Sequence, residues 1–102
     1  MRDSDFIVLA ERALADIERI LDAGDADLDC FPAGDGVLEI ELAGGDGIVI
    51  NRHAATQEIW IAARSGGFHF RWDGKAWRDT KDGRELMPVL REVIAGERLK
   101  KR

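Results

Sequence analysis

Residues 36–51 read Gly36-Val37-Leu38-Glu39-Ile40-Glu41-Leu42-Ala43-Gly44-Gly45-Asp46-Gly47-Ile48-Val49-Ile50-Asn51. Leu38, Ile40 and Leu42 alternate with Glu39 and Glu41, the period-two pattern of a strand with one buried and one solvated face. Gly44-Gly45-Asp46-Gly47 is a turn, and the apolar run from Ile48 to Asn51 is the next strand. A link this short leaves no room for a crossover helix, so the two strands are antiparallel neighbours. The same signature extends outward in both directions. Upstream, Leu28 to Phe31 is a short strand closed by Pro32 and the Gly34-Asp35-Gly36 turn. Downstream come Ile59 to Ala63, the turn Ser65-Gly66-Gly67, Phe68 to Trp72, the turn Asp73-Gly74 and a short strand around Trp77.

The period changes at both ends of this array. Phe6, Leu9, Ala10, Ala13, Ile17, Ile20 and Leu21 recur at helical spacing and predict an amphipathic helix over residues 4–22. Asp3 or Ser4 can cap its start, and Gly24 marks its stop. A second helix is predicted from about Arg84 to Ala95, with Leu86, Leu90, Val93 and Ile94 as its apolar stripe and Gly96 as its end. Pro88 falls in the first turn of that helix, where its missing N–H costs little. The order is helix, about six short strands, helix. The economical packing is an α+β two-layer sandwich: two roughly parallel helices on one face of an antiparallel sheet, with the other face open. The 102 residues make one domain, 1–102, without repeat or linker.

The net charge of −5 hides an asymmetry. Residues 1–51 hold 13 acids and 3 bases, a net of −10; residues 52–102 hold 7 acids and 12 bases, a net of +5. A nucleic-acid partner needs a basic face. The Arg98–Arg102 tail reads more simply as a solubilising end, so no nucleic-acid partner is expected. The acidic half points to cations or to a basic protein surface. No apolar run approaches the roughly 20 residues of a membrane helix, and acids stand where a signal peptide would carry bases. A cytoplasmic protein with no membrane association is expected. A single cysteine, Cys30, agrees with a reducing compartment, and is most simply a small buried apolar residue.

Catalytic motifs are absent from the sequence. Gly44-Gly45-Asp46-Gly47 joins two strands, whereas a dinucleotide fingerprint leads from a strand into a helix. There is no nucleophile elbow and no HExxH. Asp25-Ala26-Asp27-Leu28-Asp29 resembles the start of a calcium loop, but Cys30 and Gly36 stand where glycine and glutamate are required. A ferroxidase centre would need a Glu-x-x-His pair, which the sequence lacks. His53 and His69 have no partner nearby in sequence and read as structural. The chain is not expected to be an enzyme.

The candidate site is acidic. Glu11, Glu18 and Asp22 fall within about 40° of one another on the first helix, and the spacing places them opposite its apolar stripe. Asp3 lies at one edge, and Asp25, Asp27 and Asp29 continue past the helix. A stability-driven surface would mix signs, yet between Asp16 and Asp29 the only base is Arg19. Glu18 and Asp22 form a like-charge i, i+4 pair, and Asp22 opposes the helix dipole. Bound cations would relieve this repulsion. Carboxylates are hard ligands for magnesium, calcium, manganese and oxidised iron, with ferrous iron tolerated, and an open array of them binds weakly. The alternative is a metal-independent acidic interaction module that docks on a basic protein surface. A second candidate is Trp60. With Ile59 and Ile61 facing the helices, Trp60 points to the open sheet face, beside Arg52 and Glu58, as a contact hot spot.

Several ordered segments resemble the frataxin family, its bacterial branch most closely. They are Asp3-Ser4-Asp5-Phe6 with Leu9-Ala10, Ile17-Glu18 with Leu21-Asp22, and Asp27-Leu28-Asp29-Cys30. Then come Gly36-Val37-Leu38-Glu39-Ile40, Ile50-Asn51-Arg52, Ile59-Trp60-Ile61-Ala62, Gly66-Gly67-Phe68-His69-Phe70 and Trp77. The resemblance covers nearly the whole chain and implies the same helix–sheet–helix sandwich. It implies weak binding of iron, ferrous or ferric, at Asp3, Glu11, Glu18, Asp22, Asp25, Asp27 and Asp29. It also implies docking on the cysteine desulfurase of the iron–sulfur assembly machinery, often with its scaffold, through Trp60, Asn51 and Arg52. Glu18 and Asp22 are placed on that docking surface as well. The family tunes cluster synthesis, in bacteria as an iron-responsive brake, and has been proposed to donate iron. A mostly monomeric protein is implied. Ile7, Arg19 and Ala23 stand where a relative can carry histidine or acids, so fewer or weaker metal sites are expected. Ala55 and Glu58 replace the usual proline and glutamine before Trp60.

Overall fold

In the computed structural model, which describes residues 1–24, 28–42 and 47–99, the first helix buries Phe6, Ala10, Leu14, Ile17 and Leu21. These residues repeat at three- and four-residue steps and form one stripe. The helix, α1, spans Asp3–Gly24, with Asp3 and Asp5 in the first turn, where the dipole favours acids. Six strands follow: β1 (Leu28–Gly34), β2 (Val37–Leu42), β3 (Gly47–His53), β4 (Glu58–Ala63), β5 (Gly66–Trp72) and β6 (Trp77–Asp79). Each pairs antiparallel with the next, in the order β1-β2-β3-β4-β5-β6. The second helix, α2, spans Leu86–Leu99.

The strands sort their side chains by parity. Leu28, Cys30, Leu38, Ile40, Leu42, Ile48, Ile50, Ile59, Ile61 and Phe70 are buried with the helix stripes in one core. The intervening residues form the opposite face. At one end of the core, Phe6 meets Trp77 edge to face, with ring centroids 6.1 Å apart. The expected sandwich is therefore the observed one, with two helices on one face of an open six-stranded sheet.

Three local readings differ from expectation. First, the buried α1 stripe takes in Leu14 at its edge, whereas Leu9 and Ala13 are only partly buried. The buried face is thus turned towards Leu14. Second, α2 runs through Gly96 to Leu99. An interior glycine costs about 1 kcal/mol relative to alanine. The next residue, Glu97, is fully buried and its Oε2 accepts the backbone N–H of Ser65 at 3.1 Å, holding the helix end to the β4–β5 turn. Third, β1 continues through Pro32 to Gly34. An edge strand tolerates proline, which has no N–H to give to a missing neighbour. The predicted turn residues Gly44, Gly45 and Asp46 and the end of the basic tail, residues 100–102, lie outside the described residues.

Candidate functional site

Glu11, Glu18 and Asp22 do not lie opposite the buried stripe, as the spacing had suggested. The stripe is centred on Ala10 and reaches Leu14 at its edge, so these acids border it on the β1–β2 side. Glu11 and Glu18 line a shallow groove of about 250 Å³ with Leu14, Pro32, Asp35, Gly36 and Arg52. Glu18 and Asp22 lie close enough to β1 to act on Cys30. Burial pushes the Cys30 thiol up to about 11, and the charges of Asp22 and Glu18 add to the effect. Among the described residues no base pairs with Glu18 or Asp22.

The other predicted ligands are placed differently. Arg52 Nη1 donates to Glu11 Oε1 at 3.3 Å, and Arg52 Nη2 donates to Asp35 Oδ2 at 2.9 Å. Glu11 is thereby partly neutralised. Asp3 sits at the far end of α1, 19 positions from Asp22, or about 28 Å along the axis. Its Oδ1 accepts from Gln57 Nε2 at 2.9 Å, and the same amide donates to Met1 O, so this corner ties the helix start to the β3–β4 turn. Asp29 is exposed between buried Leu28 and Cys30, so it points to the open sheet face, away from α1. Opposite it in register is Glu41, a like-charge cross-strand pair. The alternation of Glu39 and Glu41 with leucine and isoleucine was visible in the sequence, but their proximity to Asp29 needed the register. Asp25 and Asp27 lie outside the described residues. Among the described residues, no three His, Cys, Asp or Glu side chains converge as a metal cluster. The carboxylates are distributed around the β1 edge rather than gathered in a cage.

Arg52 also differs from its expected setting. Asn51 pairs with Trp60 and Arg52 with Ile59, so Arg52 shares the helix-side face with Ile59, opposite Trp60. Its side chain is 15% exposed and joins β3, α1 and the β1–β2 turn. Gly36 makes this possible. It has φ +74, and a Cβ there would come within 2.9 Å of the Arg52 guanidinium.

Trp60 lies on the open face as expected, with Asn51 as its register partner. Its surroundings are more ordered than the sequence suggested. His53 stacks on one side, with centroids 3.8 Å apart and planes 10° from parallel, and His69 on the other, at 4.3 Å and 7°. Trp60 Nε1 donates to Glu58 Oε1 at 2.8 Å. Glu58 is buried and also accepts from Thr56 Oγ1 at 3.2 Å and from Arg71 Nη2 at 2.8 Å. Burial would raise the Glu58 carboxyl, but the hydrogen bonds from Trp60, Thr56 and Arg71 outweigh it and hold the group below its ordinary range. The histidines that sequence reading left as isolated structural residues are thus neighbours of Trp60. The signal was available in the hairpins: β4–β5 pairing puts His69 directly across from Trp60, and β3–β4 pairing puts His53 across from Glu58.

A separate apolar cleft of about 470 Å³ lies where α1 and α2 meet the β5–β6 turn, and it shares no lining residue with the Glu11 groove. No helix among the described residues is long and apolar enough to cross a membrane.

The class these features define is a small α+β helix–sheet–helix sandwich with an acidic first helix and a tryptophan on its open sheet face. The comparisons specify which. A frataxin-like domain model matches residues 1–99, and the chain belongs to the frataxin family, in its bacterial CyaY branch. It is 60% identical over 90 residues to the iron–sulfur cluster assembly protein CyaY of Dechloromonas aromatica, covering 88% of this chain and 86% of that one. It is 51% identical over 94 residues to the CyaY of Variovorax paradoxus, covering 88% and 84%. Among solved structures, the frataxin of Psychromonas ingrahamii superposes with a TM-score of 0.87 at 28% identity, covering 95% of this chain and 91% of that one. Trimeric frataxin from Saccharomyces cerevisiae, complexed with ferrous, gives 0.65 at 23% identity, covering 94% and 85%, which speaks to the fold alone.

Proposed function

We propose that this protein is a non-catalytic regulator of iron–sulfur cluster assembly that binds iron weakly at the α1–β1 rim and docks on the cysteine desulfurase. The observation that carries the metal half is the Glu18–Asp22 pair. Two exposed or partly exposed carboxylates sit four residues apart beside the β1 edge with no base to neutralise them among the described residues. Hard oxygen donors of this kind suit ferrous or ferric iron and admit other divalent cations. Their open spacing favours weak, multi-site binding. Asp29 adds a carboxylate at the β1 edge from the open face, Asp25 and Asp27 are further ligands on the sequence reading, Glu11 contributes less because Arg52 holds it, and Asp3 is a separate, remote carboxylate. The relatives named as iron–sulfur cluster assembly proteins supply the process.

The docking half is carried by Trp60 and Asn51 on the open sheet, with Glu18 and Asp22 as a charged flank. Arg52 supports this surface from behind by fixing β3. The desulfurase, with the assembly scaffold, is the partner, the protein acts mostly as a monomer, and the compartment is the cytoplasm. A reading in which the acids serve only to dock on a basic surface draws on the absence of a closed metal cluster among the described residues. Pull-downs on the desulfurase in metal-free and iron-loaded buffer separate the two. Iron-strengthened capture that Glu18→Gln with Asp22→Gln removes supports the regulator. Capture indifferent to iron but lost in Glu18→Lys with Asp22→Lys supports the plain acidic module.

A further inference from the structure

We propose that Glu58, His53 and His69 are positioning residues that clamp the Trp60 indole edge-outward, and that protonation of the two histidines switches the charge of this docking face. The inference deepens the reading of Trp60 as a docking residue and rests on it.

The stack runs across strands. His53 comes from β3, Trp60 from β4 and His69 from β5, with near-parallel planes at 3.8 and 4.3 Å. Because the rings stack along the inter-strand direction, both indole faces are covered by imidazoles, and only the edge is free to meet a partner. The Trp60 Nε1–H bond to Glu58 then fixes the remaining rotation. Glu58 is suited to this task because it is buried and anchored independently by Arg71.

Hydrogen bonding also fixes a tautomer. Thr56 Oγ1 has one hydrogen, which it donates to Glu58 Oε1 at 3.2 Å, and an ionised carboxylate can only accept. The 2.8 Å contact between Thr56 Oγ1 and His53 Nδ1 therefore has the imidazole as donor. A chain His53 to Thr56 to Glu58 results, with Nε2 of His53 left to take up a proton.

Charged groups from β4, β5 and β6 surround the stack. Glu58 comes from β4 and Arg71 from β5, and they neutralise each other at 2.8 Å. Arg78 of β6, opposite Arg71 in register, is held by Asp73 at 2.6 Å. The helices lie on the other side of the sheet. His69 also shares a small cavity with Asp79 of β6 and with Lys81 and Asp82 just beyond it. With neutral imidazoles the stack itself carries no charge. Histidine is the side chain whose charge ordinarily changes between pH 5 and 8. Protonation places one positive charge on each side of the indole. Each imidazolium gains a cation–π contact, and His69 Nδ1 lies 3.7 Å from Glu58 Oε1. Repulsion from Arg71 opposes these gains. The outcome is a face that gains positive charge on acidification while still gripping Trp60.

Two readouts on the free protein test the clamp. In the wild type, the Trp60 indole N–H resonance is expected to move across the histidine range. That movement should shrink in His53→Gln and in His69→Gln and vanish in the double variant. Indole N–H exchange is expected to speed up on the order of tenfold in Glu58→Ala and to stay slow in Glu58→Gln, which keeps an acceptor oxygen. A resonance that is flat with pH, a shift that survives in the double variant, or slow exchange in a folded Glu58→Ala protein would overturn the proposal. Capture by the desulfurase, measured separately on either side of the histidine range, isolates the docking reading. A titrating stack with no capture would remove docking and leave the clamp.

Discussion

The α1–β1 rim and the Trp60 face are built on opposite principles. At the rim, Glu18 and Asp22 are open to solvent and unopposed by a base among the described residues, and like charges recur across the strand pair at Asp29 and Glu41. On the sheet face, His53, Thr56, Glu58, Arg71 and the Trp60 N–H are joined by hydrogen bonds of 3.2 Å or less, and the indole is stacked on both sides. A loosely arranged set of like charges binds by field and tolerates rearrangement. A hydrogen-bonded stack binds by shape and does not. The difference teaches that charge changes should tune the first surface gradually, whereas single atoms decide the second.

The largest effect is expected at the shape-dependent surface. Trp60→Ala should weaken desulfurase capture by about 2 kcal/mol, roughly 30-fold in affinity, with the fold retained by circular dichroism. Unchanged capture would collapse the distinction. Next comes the strut that joins the two surfaces. Arg52→Ala should cost about 1–2 kcal/mol of stability, since two hydrogen-bonded charges lose their partner. Gly36→Ala should cost a similar amount, because a left-handed φ disfavours a Cβ by about 1–2 kcal/mol and the added methyl displaces Arg52. Chemical denaturation measures both, and a neutral Arg52→Ala would show that the strut is ornamental.

Acid should loosen the Trp60 face through Glu58. The folded Glu58 carboxyl lies below its ordinary 4.5, so the unfolded chain takes up that proton first as the pH drops. Glu58 therefore contributes stability above that value and loses the contribution as the pH falls through its folded pKa. The melting temperature of Glu58→Gln should fall less steeply than that of the wild type between about pH 6 and about pH 3; equal slopes would deny Glu58 its anchoring role. The smallest effect belongs to the rim. Glu18→Gln with Asp22→Gln should stabilise the metal-free protein by a few tenths of a kcal/mol, from relief of like-charge and dipole repulsion. A loss of stability would mean that these acids have partners in the fold after all.

Much of the fold was legible because its signals are local. The alternation of Leu38, Ile40 and Leu42 with Glu39 and Glu41, and the glycine turns, leave an antiparallel meander as the simple solution. What escaped was what depends on parity and rotation. Leu14 extends the α1 stripe on one side while Leu9 and Ala13 recede on the other, which puts Glu11, Glu18 and Asp22 at the flank of the stripe rather than behind it. The face of Arg52 follows from pairing His53 with Glu58 across the Ala54–Gln57 turn, a register that composition cannot supply. The same register carries His53 and His69 onto Trp60, so the most ordered part of the candidate site was the part least visible in sequence. The acidic rim, by contrast, was readable from charge imbalance alone, because an electrostatic surface does not depend on atomic register.

The central claim is that the two surfaces are separate and that metal belongs to the rim. Titrating the protein with ferrous iron while following its amide and indole resonances tests this directly. Paramagnetic broadening is expected around Glu18, Asp22 and the β1 edge at Asp29, with the Trp60 indole N–H unaffected. Broadening centred on His53, Trp60 and His69, or spectra unchanged at millimolar iron, would contradict it.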